Sequence, residues 1–414
     1  MELKFDYDKL IEEELNKPYN DVNYFDKFGI PKLTLSVSVI IPTYNRCPFD
    51  PKTEKGKLNP LTWSIQSAIN QKIKVKEIII INDASTDYTK EVAKFFEDNI
   101  ERPKIIYLEN EKKTGSAVSR NIGAKRATAR YLLFMDDDLY LSPYTCFGAV
   151  YSFESIRKRG HKIGALVLPY YFRATQPRQV KSKKYIGQIY FAKGLNYGYW
   201  NSYPTNYLVS KKKYIDEKYK LLSPLHVNNC CGYFLCSKRA YETVGGFPEH
   251  FNWKNHYGEE TEFACRLTEN GYEIFFSPDI KLHAYHGQFG LNAEKGFLGK
   301  DWLGKFKKIS RSCNLKRENT GNRVEPDDWY YCKITSYFVI LYKRNKDGAL
   351  NWIKHTYKQF VRKNSALFRG NIKPIVSKSE RRKIWEKAIK DGLELIEEQE
   401  KAMNQDFLKF IDTI

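Results

Sequence analysis

The sequence predicts an α/β fold in which a mostly parallel sheet is flanked by helices. Short β-branched runs such as Val37–Ile41 and Lys76–Ile81 have the length and composition of buried strands. Segments with helical periodicity separate these runs along the chain. Strands that alternate with helices in this way form parallel sheets with helices on both faces.

The elements that build this sheet can be placed in order. The strands are predicted at Val37–Ile41, Lys76–Ile81, Ile105–Leu108 and Tyr131–Met135. Three helices are predicted between these strands. The first covers Leu61–Ile69, the second begins after a cap at Thr86 or Asp87, and the third runs through Ser119–Ala124. Later elements are a strand at Gly164–Leu168, a helix at Glu260–Asn270 and a long amphipathic helix at Lys378–Asp412.

Composition limits the classes of function. The 414 residues carry a formal net charge of +20, which attracts anions such as nucleotides, lipid headgroups or acidic glycans. The lysines are spread along the chain, which favours a solvated surface over an anionic membrane or an acidic acceptor. The charged N-terminus is unlike a signal peptide, and no apolar run approaches the ~20 residues of a membrane span. The eight cysteines show no regular pairing, so we expect a cytoplasmic protein, with peripheral contact at the inner face of a membrane as the alternative.

Polar clusters follow three of the predicted strands. They are Thr43–Arg46, Asn82–Asp87 and Asp136–Asp138. Because ligands of parallel sheets bind outside the carboxyl ends of the strands, these clusters are expected to meet in space. Asp83 is suited to accept a hydrogen bond from a nucleobase, whereas Asp87 is better explained as a helix cap.

The acidic triplet Asp136–Asp138 is the first candidate site. Adjacent carboxylates raise one another's pKa, and a divalent cation relieves that repulsion. Oxygen ligands select Mg²⁺ or Mn²⁺, and Mg²⁺ completes its shell with substrate phosphates, so the site would hold a diphosphate. The alternative is an exposed acidic turn.

Gly258-Glu259-Glu260 opens a predicted helix and is the second candidate site. Acidic residues in a first turn are favoured by the helix dipole alone. The functional alternative is a general base that removes the proton from an attacking hydroxyl group.

Taken together, these motifs resemble those of the inverting family 2 glycosyltransferases, which have the Rossmann-like GT-A fold. The resemblance covers about residues 36 to 290 and rests on six motifs in register. They are Val39–Arg46, Ile79–Asp87, Arg120-Asn121-x-Gly123, Asp136-x-Asp138, Gly245-Gly246-Phe247, and Gly258-Glu259-Glu260 with Arg266-Leu267 and Gly271.

The resemblance implies a metal-dependent enzyme of the hexosyltransferase type that uses a UDP-sugar donor and a glycan or lipid-linked acceptor. The residues implied in nucleotide-sugar binding are Pro42, Thr43, Tyr44, Arg46, Asp83, Asn110, Arg120, Asp136 and Asp137. Mn²⁺ or Mg²⁺ would be held by Asp138 and Asp136, with His286 or, alternatively, His283. Glu260 stands where the family usually has the aspartate base, so Glu259 remains an alternative. No nucleic-acid partner is expected.

The predicted organisation has three parts. Residues 1–35 form a leader, and residues 36–295 form the GT-A domain, with a nucleotide-binding half (36–140) and an acceptor-binding half (141–295). Residues 296–414 form a basic, mainly helical region that either completes the fold or docks on an anionic membrane. Two other functions are less consistent with the sequence. A sugar-nucleotidyltransferase would carry a glycine-rich loop where Pro42–Asn45 stands, and a non-catalytic basic binding module would not require the acidic clusters.

Overall fold

An eight-stranded sheet forms the centre of the chain in a computed structural model. The structure describes residues 34–53, 56, 59–168, 170–172, 188–190, 206–208, 225–227, 229–230, 232–249, 258–277, 282, 284–286, 326–363 and 377–411. The strands within these ranges are β1 (Thr34–Thr43), β2 (Lys74–Asn82), β3 (Lys104–Glu109), β4 (Tyr131–Phe134), β5 (Leu139–Leu141), β6 (Ile163–Val167), β7 (Tyr170–Phe172), β8 (Gln188–Tyr190), β9 (Asn206–Leu208), β10 (Leu225–Val227), β11 (Phe234–Ser237), β12 (Glu273–Phe276) and β13 (Ala284–His286).

The main sheet has the strand order β10-β12-β6-β11-β4-β1-β2-β3. β1 is parallel to β2 and β4, β2 is parallel to β3, and β12 is parallel to β6. β11 runs antiparallel to both β4 and β6, and β10 runs antiparallel to β12. β5, β13 and β7 form a smaller sheet, and β8 pairs with β9. The prediction of a mostly parallel sheet is therefore confirmed.

Helices flank this sheet, as predicted from the periodicity. They are α1 (Pro60–Ile69), α2 (Thr89–Asn99), α3 (Ser116–Arg126), α4 (Thr145–Lys158), α5 (Lys238–Thr243), α6 (Glu259–Glu269), α7 (Pro326–Arg344), α8 (Lys346–Thr356) and α9 (Lys378–Ile411), with a π-helical segment at Tyr357–Arg362. The cap of α2 differs from the expected one, because Tyr88 precedes the helix. Asp87 nevertheless accepts a hydrogen bond from the Thr89 amide at 3.0 Å and from the Cys47 amide at 2.8 Å, which ties the helix to the loop after β1.

The centre of the sheet is apolar on both faces, and an aromatic cluster joins it to α6. Phe263 of α6 stacks on Phe247 with ring centroids 4.8 Å apart, and Phe247 meets Phe134 of β4 edge to face at 5.1 Å. Such aromatic pairs contribute about 0.5–1.5 kcal/mol each beyond the burial of their area. The cluster fixes α6 against the strand that leads into the acidic triplet.

The crevice of the sheet lies where β1 has β2 on one side and β4 on the other. The chain proceeds from β1 through β2 to β3 and then returns to place β4 on the opposite side of β1. Such a reversal of strand order opens a ligand-binding crevice at the carboxyl ends of the strands. Thr43 ends β1, and Asp136–Asp138 follow β4 at this same edge.

The C-terminal helices have a hydrophobic core of their own. Phe338 and Leu341 of α7 are buried in it with Trp352 of α8 and Ile396 of α9. Cys265 of α6 belongs to the same core, so the C-terminal helices pack directly on the helix that begins at Glu259. Among the described helices, none combines the length and apolar character needed to cross a membrane.

Candidate functional site

The loop after β1 is held against the loop after β2. Asn45 adopts a left-handed backbone conformation (φ 51°), which asparagine tolerates better than most residues. Its amide donates to Ser85 Oγ at 2.9 Å, and its side-chain oxygen accepts from the Thr86 amide at 2.8 Å. These bonds direct Arg46 across the crevice towards the acidic triplet.

Two arginines share the three carboxylates of the triplet. Arg46 Nε lies 2.8 Å from Asp137 Oδ1, and its Nη2 lies 3.5 Å from Asp138 Oδ2. Arg120 Nη2 lies 2.9 Å from Asp136 Oδ1. From the sequence we expected a cation to relieve the repulsion within the triplet. The structure shows that guanidinium groups from two distant segments already supply part of that compensation, which no local pattern indicates.

The electrostatics of the triplet follow from its burial. Burial raises the pKa of Asp137 above its usual range, and Arg46 opposes this rise. Burial alone would lower the pKa of Arg46, but the charges of Asp137 and Asp138 outweigh it and raise that pKa. Asp137 and Arg46, both predicted to bind nucleotide-sugar, are therefore paired with each other.

Arg120 connects the triplet to the glutamate pair. Its side chain is only 3% exposed, and its Nη1 lies 3.2 Å from Glu259 Oε1 and 3.3 Å from Glu260 Oε1. Burial lowers the pKa of Arg120, but the charges of Glu260, Asp136 and Glu259 raise it further than burial lowers it. The two candidate sites found in the sequence are thus one site, joined by a single guanidinium group.

The two glutamates have different surroundings. Glu259 is buried, its Oε1 accepts from Ser116 Oγ at 2.9 Å, and its Oε2 has no hydrogen-bond partner among the residues that the structure describes. The side chain of Glu260 is 23% exposed and so can be reached from the crevice. Burial raises the pKa of both carboxyl groups, the negative charge of Glu259 raises that of Glu260 further, and Arg120 opposes both shifts.

Asp83, the predicted nucleobase contact, holds the loop that precedes α3. Its Oδ1 accepts from the Thr114 amide at 2.7 Å, from Thr114 Oγ1 at 2.8 Å and from Asn110 Nδ2 at 2.9 Å. Its Oδ2 accepts from the Gly115 amide at 2.7 Å. Asn110, predicted to help bind the nucleotide, thus orients Asp83. Both residues lie at the expected edge of the sheet, with Asp83 buried.

The other predicted nucleotide contacts lie at the end of β1. Pro42 and Thr43 are the last residues of the strand and are buried, and the Thr43 carbonyl accepts from the Asp83 amide at 2.9 Å. Tyr44 follows them and carries the ammonium group of Lys113 over its ring, 3.9 Å from the centroid. Lys113 had not been singled out in the sequence, since an isolated lysine in a loop carries no signal.

The backbone of His286 lies beside the triplet. β13 pairs antiparallel with β5, and His286 is opposite Leu139, the residue after Asp138. His283, the alternative, lies outside the described residues. Within the described part of the chain, no three His, Cys, Asp or Glu side chains are grouped closely enough to hold a metal ion by themselves.

The lack of a side chain at Gly232 leaves the space that the carboxylate of Asp136 occupies. A Cβ atom at this position would lie 2.4 Å from Asp136 Oδ2, closer than any side chain permits. No local pattern in the sequence reveals this role of Gly232, because the contact with Asp136 depends on β11 lying next to β4. Ser116 was missed for a similar reason, because its partner Glu259 is far away in the sequence.

Comparison with known proteins gives a consistent picture. The family model described as glycosyl transferase family 2 matches residues 38–245, which is half of the chain. The putative teichuronic acid biosynthesis glycosyltransferase TuaG of Bacillus subtilis is 35% identical over 102 residues, covering 25% of this chain and 35% of TuaG. The uncharacterized glycosyltransferase YibD of Escherichia coli is 36% identical over 113 residues, covering 27% of this chain and 29% of YibD. The chain thus spans about a third of the length of these relatives.

The solved structures that the chain matches include TarS of S. aureus, residues 1–349, in complex with UDP-GlcNAc. Its TM-score is 0.47 at 16% sequence identity, and the match covers 87% of this chain and 81% of that one. The structure of GalNAc-T7 with UDP, GalNAc and Mn²⁺ gives a TM-score of 0.43 at 15% identity, covering 69% of this chain and 53% of that one.

Proposed function

This chain belongs to glycosyl transferase family 2, and from that premise we propose that it transfers a sugar from a UDP-sugar to a hydroxyl group of a glycan or lipid-linked acceptor, with inversion at the anomeric carbon. The proposed site runs along the crevice from Thr43 and Asp83, through Asp136–Asp138, to Glu260. The triplet would hold a divalent cation, and a carboxylate at the start of α6 acts as the base.

One observation supports this proposal above the others. Arg120 touches both Asp136 and Glu260, at 2.9 Å and 3.3 Å, so the acidic triplet and the candidate base are neighbours of one guanidinium group. A transferase that displaces a diphosphate must hold the base and the leaving group close to the same reacting carbon. The contacts of Arg120 support such a site, because they bring the two acidic groups into one crevice.

The donor set fits Mn²⁺ or Mg²⁺. Five carboxylates, Asp136–Asp138 with Glu259 and Glu260, face the two guanidinium groups of Arg46 and Arg120, so negative charge exceeds positive charge when all are ionised. A diphosphate would add to that excess, and a hard cation held by one or two carboxylates and by the phosphate oxygens would offset it. Asp138, whose Oδ2 lies 3.5 Å from Arg46 Nη2, is the proposed principal ligand, with Asp136 and His286 as further ligands.

Glu260 is the proposed base. A base must come within hydrogen-bonding distance of the acceptor hydroxyl, and Glu260 is more exposed than Glu259, whose side chain is 4% exposed and bound to Ser116 and Arg120. The pKa of Glu260 is raised towards neutral pH, and a general base is most effective when its pKa lies near the pH at which the enzyme works.

The residues of the chain would then act as follows. Glu260 takes the proton of the acceptor hydroxyl, whose oxygen attacks the anomeric carbon as the bond to the diphosphate breaks on the opposite face. Arg120 holds Glu260 and Asp136 in place and stabilises the negative charge between them. A bound divalent ion would neutralise the departing UDP. Asp83 and Thr43 position the nucleobase at the other end of the crevice.

The acceptor class rests on the relatives. TuaG is named for teichuronic acid biosynthesis, and this supports an acceptor within polysaccharide or glycoconjugate synthesis for the present chain.

The proposal is tested by incubating the purified protein with a panel of UDP-sugars and Mn²⁺ and measuring UDP release and sugar products by mass spectrometry. Asp138→Asn is the test variant, and Asp98→Asn, at an exposed position on α2, is the matched control. Because a catalytic metal contributes several kcal/mol, we expect Asp138→Asn or a chelator to lower release at least ~100-fold.

Two outcomes would contradict the proposal. Equal UDP release with chelator, with Asp138→Asn and with Asp98→Asn would exclude the metal assignment. The absence of release from every UDP-sugar, together with no shift of the melting temperature by UDP and Mn²⁺, would exclude the donor class.

A further inference from the structure

Helix α6, which carries Glu260, lies between two hydrophobic cores. Phe263, Ala264 and Leu267 face the core of the main sheet. Cys265 faces the core formed by the C-terminal helices. Both cores therefore determine the position of α6. The core formed by the C-terminal helices lies outside residues 38–245, the region that the family model matches.

The start of α6 touches α7 closely. Gly258, which precedes the helix, has φ +102°, and a Cβ atom there would lie 3.1 Å from Ser336 Cβ and 3.3 Å from Ile340 Cδ1. One turn further, the Tyr337 hydroxyl is hydrogen-bonded to Thr261. Ser336, Tyr337 and Ile340 thus form a wall against the turn that presents the two glutamates.

Arg344, at the end of α7, binds two carboxylates of α6. Its Nη1 lies 2.6 Å from Glu262 Oε2, and its Nε lies 2.5 Å from Glu269 Oε1, with Nη2 3.1 Å from Glu269 Oε2. Glu262 and Glu269 are seven residues apart, so they lie on one face of the helix two turns from each other. One guanidinium group therefore fixes both the rotation of α6 about its axis and its position along α7.

The contact between Arg344 and Glu262 is well shielded from water, whereas the side chain of Glu269 is 42% exposed. The side chain of Arg344 is 9% exposed and that of Glu262 is 4% exposed. The second arginine near Glu262, Arg266, is on α6 itself and reaches only Oε1 at 3.3 Å, so it cannot connect α6 to α7. Removing one member of a buried pair leaves the other charge uncompensated, which distorts the structure around it.

We propose that Arg344 is a positioning residue for the transfer reaction: through Glu262 and Glu269 it sets the orientation of the first turn of α6 and thereby aims Glu260 into the crevice. This inference rests on the proposed function of Glu260 as base. It makes the C-terminal helices part of the catalytic unit instead of an appendage that only lengthens the chain.

The test compares three variants of the full chain with the wild type. Arg344→Gln removes the charge, and the double variant Arg344→Gln with Glu262→Gln removes the charge left behind. Arg381→Gln is the matched control, because Arg381 is also a buried arginine of these helices but binds the carbonyl oxygens of Phe360 and Val361. Three quantities are measured well below the melting temperature: kcat and KM for the donor, the dissociation constant of UDP, and hydrogen exchange of the amides of residues 262–265.

In Arg344→Gln we expect the amide hydrogens of α6 to exchange with solvent at least tenfold faster than in the wild type. We also expect kcat to fall at least tenfold, with the dissociation constant of UDP and the donor KM unchanged. The double variant should recover part of both losses. Arg381→Gln should lower the melting temperature but keep the wild-type kcat and the wild-type exchange in α6.

The inference is overturned if Arg344→Gln keeps the wild-type kcat and exchange, or if Arg381→Gln loses as much kcat as Arg344→Gln does. If Arg344→Gln fails to fold, the double variant decides by the same readouts. A third outcome separates the two proposals. If the wild type transfers no sugar but hydrogen exchange in α6 is faster in Arg344→Gln and not in Arg381→Gln, then Arg344 positions α6 while the proposed function is wrong.

Discussion

Arg120 binds Asp136 and Glu260 at the same time, so one residue of the proposed metal-binding triplet and the proposed base have one partner in common. The guanidinium group is planar and offers separate N–H groups to each side, which lets one buried side chain serve both carboxylates. A change at any of these three residues should therefore affect the other two.

Replacing Arg120 by methionine should destabilise the fold strongly. The variant would leave Glu259 buried and Asp136 without its partner, and breaking a buried ion pair on one side costs about 3–5 kcal/mol. The free energy of unfolding in urea measures this loss. Arg157→Met, which removes an exposed and solvent-screened pair with Glu154, should lower the free energy of unfolding far less. Equal losses in the two variants would show that Arg120 is not structurally essential.

Glu260→Gln should remove the base while leaving the donor site intact. General base catalysis contributes about 10²–10⁴-fold, so we expect kcat to fall by that factor with little change in the donor KM. Glu242→Gln, at an exposed position on α5, serves as the control. A larger loss of kcat in Glu259→Gln than in Glu260→Gln, with both proteins folded, would assign the base to Glu259.

The pH dependence of activity and of stability should have opposite signs at Glu260. Its pKa in the folded protein is raised above the ordinary value of 4.5, first by burial and then by Glu259. Activity requires the carboxylate and so rises as the pH passes through the raised pKa. The folded state binds the extra proton in this interval, so the contribution of Glu260 to stability is present at low pH and is lost as the pH rises.

Melting temperatures of the wild type and Glu260→Gln in metal-free buffer check this sign. Between about pH 5 and about pH 8 the variant should gain stability relative to the wild type, because it has no carboxylate to desolvate. A difference in melting temperature that stays constant over this range would contradict the raised pKa.

Gly232→Ala should affect the site more than the fold. The added methyl group would force Asp136 away from Arg120, and the loss of a charged hydrogen bond is worth about 1.5–3 kcal/mol, or roughly a tenfold or greater rise in the donor KM. Gly160→Ala is the control: it lies in a turn with φ +94° and open space around it, so it should cost about 1–2 kcal/mol of stability and leave KM unchanged. Steady-state kinetics and thermal unfolding of both variants distinguish the two effects.

The sequence predicted the sheet well because local patterns define it. The run Lys76–Ile81 lies within β2, and the helix expected over Glu260–Asn270 begins one residue earlier, at Glu259. It also placed the polar clusters at the correct edge, since the ends of parallel strands coincide. The partners of the charged residues were not predictable, because Arg46 and Asp137 are 91 residues apart and Arg120 and Glu260 are 140 apart.

The antiparallel direction of β11 restricts how the chain can be recombined with its relatives. Phe234, the first residue of β11, pairs with Phe134, the last residue of β4, so the turn before β11 enters the sheet beside Asp136. A chimera that exchanged everything through Asp138, the last residue of the triplet after β4, would place a foreign acidic loop beside the native Gly232, whose lack of a side chain leaves room for Asp136. We therefore expect functional hybrids to inherit the two segments together, and libraries that shuffle them separately to yield mostly inactive enzymes.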